Sequence, residues 1–138
     1  VTHILLVEDN PIDARLLQRA LSGNVTWVDD GQKALWYLQS LEAGGVDEPP
    51  RLVLLDLNLP KYDGLQVLAE FRRSAVGQSL LIFLLSSTPA SEVAELAARQ
   101  DLRADAYLEK PYGLHELEQF SRRISEVLSF SEARTAAA

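Results

Sequence analysis

Apolar residues along the chain fall into two rhythms. Ile4 to Val7, Leu52 to Leu55 and Leu80 to Leu85 are unbroken apolar runs of strand length, the pattern of parallel strands covered on both faces. Between them apolar positions recur at helical spacing. Ile12, Leu16, Leu17, Ala20 and Leu21 form one stripe, with Arg15, Gln18, Arg19 and Ser22 facing away and Gly23 placed to stop the helix. Ala34, Leu35, Leu38 and Leu41 make a second stripe; Leu65, Leu68 and Phe71 a third; Val93, Leu96 and Ala97 a fourth. Leu117, Phe120, Ile124, Val127 and Leu128 make the fifth and longest. Weaker strands are predicted near Val25 to Val28 and at Ala106 to Leu108.

A strand followed by a helix, repeated five times, is an α/β alternation. Parallel crossovers are right-handed and short loops join neighbours, so an open doubly wound sheet with helices on both faces is favoured over a barrel, which needs about eight such units. Periodicity does not reveal the strand order. Glu42 to Arg51, with Gly44, Gly45, Pro49 and Pro50, reads as a loop, but it lies inside the alternation and marks no domain boundary. The expectation is one domain over residues 1–130, followed by a flexible small-residue tail over 131–138.

Composition narrows the function classes. The chain has 138 residues, 47% hydrophobic and 24% charged, which is ordinary for a soluble domain. No apolar run approaches the roughly 18 residues that a membrane span needs. The first residues lack the basic start and cleavage site of a secretory signal, and there is no cysteine, so a cytoplasmic location is expected. Twenty acidic against thirteen basic residues give a net charge of -7, which repels nucleic acid. The basic pairs Arg72-Arg73 and Arg122-Arg123 read as solvated helix faces.

The chemistry stands at the strand ends. Glu8 and Asp9 follow the first core strand, Asp56 the third, Ser86 and Ser87 the fourth, and Lys110 the fifth. In an open parallel sheet these ends share one edge, where ligands bind. Two carboxylates about 4 Å apart repel by roughly 4 kcal/mol at an effective dielectric of 20, so three of them call for a divalent cation. Oxygen ligands without His or Cys favour magnesium. Lys110 adds a compact positive charge and Ser86 a hydroxyl, which completes an electrostatic cradle for phosphoryl transfer with Asp56 as acceptor.

Read through Val7-Glu8-Asp9-Asn10, Leu55-Asp56-Leu57-Asn58-Leu59-Pro60, Asp63-Gly64, Leu85-Ser86-Ser87 and Tyr107-Leu108-Glu109-Lys110-Pro111, the chain resembles response-regulator receiver domains from about His3 to Leu128. The resemblance implies a flavodoxin-like (βα)5 fold with strand order 2-1-3-4-5. It implies that Asp56 accepts phosphate from a histidine kinase, and that Asp9, Asp56 and the backbone carbonyl of Asn58 ligate Mg2+ while Glu8 contacts the ion or holds a water on it. It further implies that Lys110 bonds the phosphoryl group, that Ser86 moves toward it, and that Tyr107 swings inward in concert. Asn10-Pro11 with Asp13 and Arg15, the run Asp56 to Lys61 and the long loop before the third strand are similar to the stand-alone regulators paired with bacterial phytochromes. Ser86 stands where threonine is commoner, and Ser87 where alanine or glycine is frequent, which bears on access to the phosphoryl group.

Plainer roles exist for several of these residues. Glu8 and Asp9 suit a helix N-terminus, Ser86, Ser87 and Ser91 are all candidate N-caps, and Tyr107 needs no functional reason to stand in a strand. His3 and His115 read as surface residues. The rival function is a magnesium-dependent aspartyl-phosphate phosphatase acting on a small substrate, an enzyme class that usually carries a second aspartate where this chain has Asn58. The favoured reading is a signalling switch without an output domain, not an enzyme beyond its own phosphotransfer and dephosphorylation, that works through protein partners. These are a sensor histidine kinase, a downstream phosphotransfer protein, and a second copy bound through the fourth helix, fifth strand and fifth helix, where Tyr112 and Phe130 lack a core role.

Overall fold

Strands with no polar face need cover on both sides, and the sheet has it. The computed structural model of the chain describes residues 2–21 and 24–137. Its strands are β1 (His3–Val7), β2 (Asn24–Val28), β3 (Leu52–Asp56), β4 (Leu81–Ser86) and β5 (Ala106–Glu109). Its helices are α1 (Pro11–Ala20), α2 (Gly31–Glu42), α3 (Gly64–Arg73), α4 (Ala75–Gln78), α5 (Ala90–Arg99) and α6 (Leu114–Ala137). All strand pairs are parallel, in the order β2-β1-β3-β4-β5.

Successive residues of the central strands feed opposite cores. Leu5, Val7, Val53, Leu55, Ile82 and Leu84 pack with α2, α3 and α5 on one face, while Ile4, Leu6, Leu52, Leu54, Phe83 and Leu85 pack with α1 and α6 on the other. Each such side chain, fully buried, stabilises the fold by about 1.5–3 kcal/mol. That is why the runs show no alternation in sequence.

Helix starts follow local side-chain chemistry. Asn10 accepts from Ile12 N and Asp13 N ahead of Pro11, Asp30 accepts from Lys33 N, and Asp63 with Gln66 forms a capping box. Gly64 lies against the end of β3: a Cβ there would meet Asp56 O at 2.5 Å. Only glycine lets α3 begin so close to the end of β3.

Several expectations are corrected. The short α4, capped by Ser74, is an additional element, because four residues that include Gly77 carry no periodic signal. The expected fourth and fifth helices are therefore α5 and α6. Helix α6 is drawn as far as Ala137. Ile12 is 72% exposed, since α1 buries Ala14 and Leu17 and Ile12 lies about 200° around the helix from Ala14. His3 is buried, its Nε2 2.7 Å from Thr26 Oγ1 and its Nδ1 bonded to Glu48 O, whereas His115 is exposed. Gly23, expected to stop α1, lies outside the described residues.

Candidate functional site

The carboxyl ends of the central strands converge as the topology requires. Asp56 closes β3 opposite Leu85 of β4, Ser86 closes β4, and Lys110 N donates to Ser86 O at 2.9 Å. Glu8, Asp56 and Ser86 are almost wholly buried, while Asp9 is exposed. Carboxylate oxygens of Glu8, Asp9 and Asp56 all lie within 4.8 Å of one another. Lys110 Nζ sits among acids, 2.8 Å from Glu8 Oε1, 3.0 Å from Asp56 Oδ2 and 3.4 Å from Asp13 Oδ2.

These contacts do not balance. Three carboxylates meet one ammonium, and that of Asp9 lies close to two of them. Glu8 Oε2 accepts from Asn10 N at 3.1 Å, and buried Glu8 Oε1 has Lys110 Nζ as its partner at 2.8 Å. Burial pushes the Glu8 carboxyl up to about 7, opposed by Lys110 and reinforced by Asp56. Burial alone would lower the Lys110 ammonium, yet its bonds to Glu8 and Asp56 outweigh that and raise it. An all-oxygen donor set and excess negative charge fit a hard divalent cation.

The remaining predicted residues are placed as follows. Asn58 N donates to Asp56 Oδ1 at 3.1 Å, which holds Asn58 beside the Asp56 carboxylate. Ser86 Oγ accepts from Thr88 N at 2.9 Å, within its own loop, and Ser87 Oγ is 2.8 Å from Tyr112 OH. Neither serine caps α5, whose N-cap is Pro89 without a side-chain bond. The Tyr107 hydroxyl accepts from Ala104 N at 3.0 Å, so it reaches back along the chain. Asp13 is a site neighbour that strand-end reasoning missed: in sequence it is a first-turn acid on α1, and only the fold brings it to Lys110.

The response regulator receiver domain profile matches residues 4–122. The chain belongs to that family. This receiver is 37% identical over 128 residues to the probable methanogenesis regulatory protein FilR2 of Methanothrix harundinacea, covering 89% of this chain and 81% of FilR2. It is 35% identical to response regulator Rcp1 of a Synechocystis, covering 83% and 80% of the two chains. The structure of the phosphorylated cyanobacterial phytochrome response regulator RcpA matches it with a TM-score of 0.77 at 35% identity over 91% of both chains. The Mn2+-bound form of Rcp1 matches with a TM-score of 0.74 at 32% identity over 90% of this chain and 91% of that one. Receivers are signalling proteins that partner with histidine kinases, and the relatives of this one include regulators named for phytochromes.

Proposed function

We propose that this receiver accepts a phosphoryl group on Asp56 from a histidine kinase, with Mg2+ held by the carboxylates of Glu8, Asp9 and Asp56 and the backbone carbonyl of Asn58. The observation that carries the reading is the charge imbalance: buried Asp56 lies 3.0 Å from the one ammonium, Lys110, inside a cluster of acids that a divalent cation would neutralise. The ion supplies charge neutralisation for the transferring group. An oxygen of Asp56 forms a bond to phosphorus as the nitrogen–phosphorus bond of the donor phosphohistidine breaks, the electron pair leaving with the imidazole. Lys110, already beside Asp56, donates to a phosphoryl oxygen, and Ser86 exchanges its bond with Thr88 N for one to the same group. Tyr107 follows by giving up Ala104. Exposing the chain to a competent kinase with magnesium should yield an acid-labile label that Asp56→Asn lacks; acid-stable or retained label in that variant would remove the assignment.

The same reading places the protein in the cytoplasm beside its kinase, consistent with the absence, among the described residues, of any helix long and apolar enough to cross a membrane. It acts there through protein contacts, with a bacterial phytochrome as the candidate kinase and a downstream phosphotransfer protein as candidate recipient. Leu96 on α5, Tyr112 before α6 and Phe130 on α6 are 41%, 60% and 65% exposed, which supports a twofold homodimer through α5, β5 and α6. Sedimentation should show a dimer that beryllofluoride strengthens; a monomer with and without it at high micromolar concentration would exclude this face.

A further inference from the structure

Asp9 has an aiming problem. It is exposed, and among the described residues its carboxylate makes no hydrogen bond or ion pair, so no side-chain contact sets its direction. What sets it is the backbone on either side. The amide that follows, Asn10 N, is held by Glu8 Oε2 at 3.1 Å. The carbonyl that precedes, Glu8 O, lies beyond the last ladder pair of β1 and β2, Val7 with Val28, and takes its hydrogen bond from a side chain: Trp27 Nε1 donates to it at 2.7 Å. Glu8 N in turn donates to Val28 O at 3.1 Å. Edge strand β2 therefore grips Glu8 at both of its peptide groups, once through backbone and once through the indole.

We infer that Trp27 is a positioning residue for the cation site, its indole N–H fixing the turn that aims Asp9 and Glu8. This rests on the metal reading above. A ligand held at the productive angle before the ion arrives gives up little conformational freedom on binding, and a loosened one gives up more. The indole is suited to the task because it is a donor only, so it can hold a carbonyl and offers no acceptor to compete with the carboxylates for the cation. Trp27 is 38% exposed on the edge strand, so replacement by a smaller aromatic opens no closed cavity in the core.

The test is calorimetric titration of the full chain with magnesium chloride, alongside thermal melts without magnesium, for the wild type, Asp9→Asn, Trp27→Phe and Val25→Ala. Val25 is also on β2 and packs against the α1 and α6 core, so its truncation loosens the edge strand without touching Glu8. The inference expects Trp27→Phe to weaken magnesium about fivefold and Val25→Ala to leave it within about twofold, since only the first removes a hydrogen bond to the turn. Unchanged affinity in Trp27→Phe overturns it, and so does an equal loss in Val25→Ala, which would make the effect one of general strand stability. Absence of binding in the wild type, or binding that Asp9→Asn retains, refutes the metal site itself and this inference with it.

Discussion

Each end of the sheet carries a cation beside acids, and the two clusters differ in whether their charges balance. At the amino ends of β4 and β5, Arg72 donates through Nε to Arg103 O, through Nη1 to Gly77 O and Leu80 O, and through Nη2 to Asp105 Oδ2. Asp105 Oδ2 also accepts from Ile82 N. One positive charge meets one negative charge, and the guanidinium fork is occupied on all its nitrogens. At the carboxyl ends, Lys110 meets Glu8, Asp56 and Asp13, with Asp9 nearby. There several acids share one ammonium and the charges are left unbalanced. A charge-balanced polar cluster ties elements together; an unbalanced one is a candidate ligand site.

Substitutions at the two ends should therefore differ in kind. Asp56→Asn has the largest effect, a complete loss of phosphoryl label with the melting temperature kept or raised, because it removes one of the crowded charges; a collapse of the fold would make Asp56 structural instead.

Glu8→Gln tests the imbalance directly. With its carboxyl raised from 4.5 to about 7, folded protein holds a proton that unfolded chain has lost, so in magnesium-free buffer stability falls as pH rises through that window and the whole cost remains above it. Glutamine mimics the protonated acid. Denaturant titration should find Glu8→Gln more stable than wild type by on the order of 3 kcal/mol at about pH 8 and similar to it at about pH 4.5. Saturating magnesium should shrink the gap, because it stabilises the wild-type site. A gap independent of pH would contradict the cause assigned here.

Arg72→Met has the opposite sign. It strands Asp105 and three carbonyl groups at the far end of the sheet, and should cost about 2 kcal/mol of stability at any pH near neutrality while leaving magnesium affinity unchanged. Matched titrations of denaturant and magnesium would check both halves. A change in metal affinity would mean that the two ends are coupled. Arg72 also corrects the sequence reading that treated the Arg72-Arg73 pair as solvated: Arg73 is, with an exposed partner in Glu70, but Arg72 is mostly buried.

Much of this was legible before any coordinates. Runs such as Leu52 to Leu55 suit a strand covered on both faces, because a one-sided strand would leave apolar side chains in water. The strand-end acids, Ser86 and Lys110 were findable because a parallel sheet places all its carboxyl ends on one edge whatever the details. Less legible were Ile12 and α4. One is an apolar residue on the wrong side of its helix, and the other is too short to show a period.

What the sequence alone determined was the five strand–helix pairs and the identity of the strand-end groups at one edge, since both follow from local periodicity and chain direction. What only the tertiary structure decided was which groups are satisfied. Asp13 meets Lys110 across 97 positions, Arg72 meets Asp105 across 33, and the Trp27 indole meets the Glu8 carbonyl across 19. None of these pairings leaves a trace in spacing, because hydrogen bonds and ion pairs depend on distances of a few ångströms that are set when helices and strands pack, and sequence separation does not constrain them.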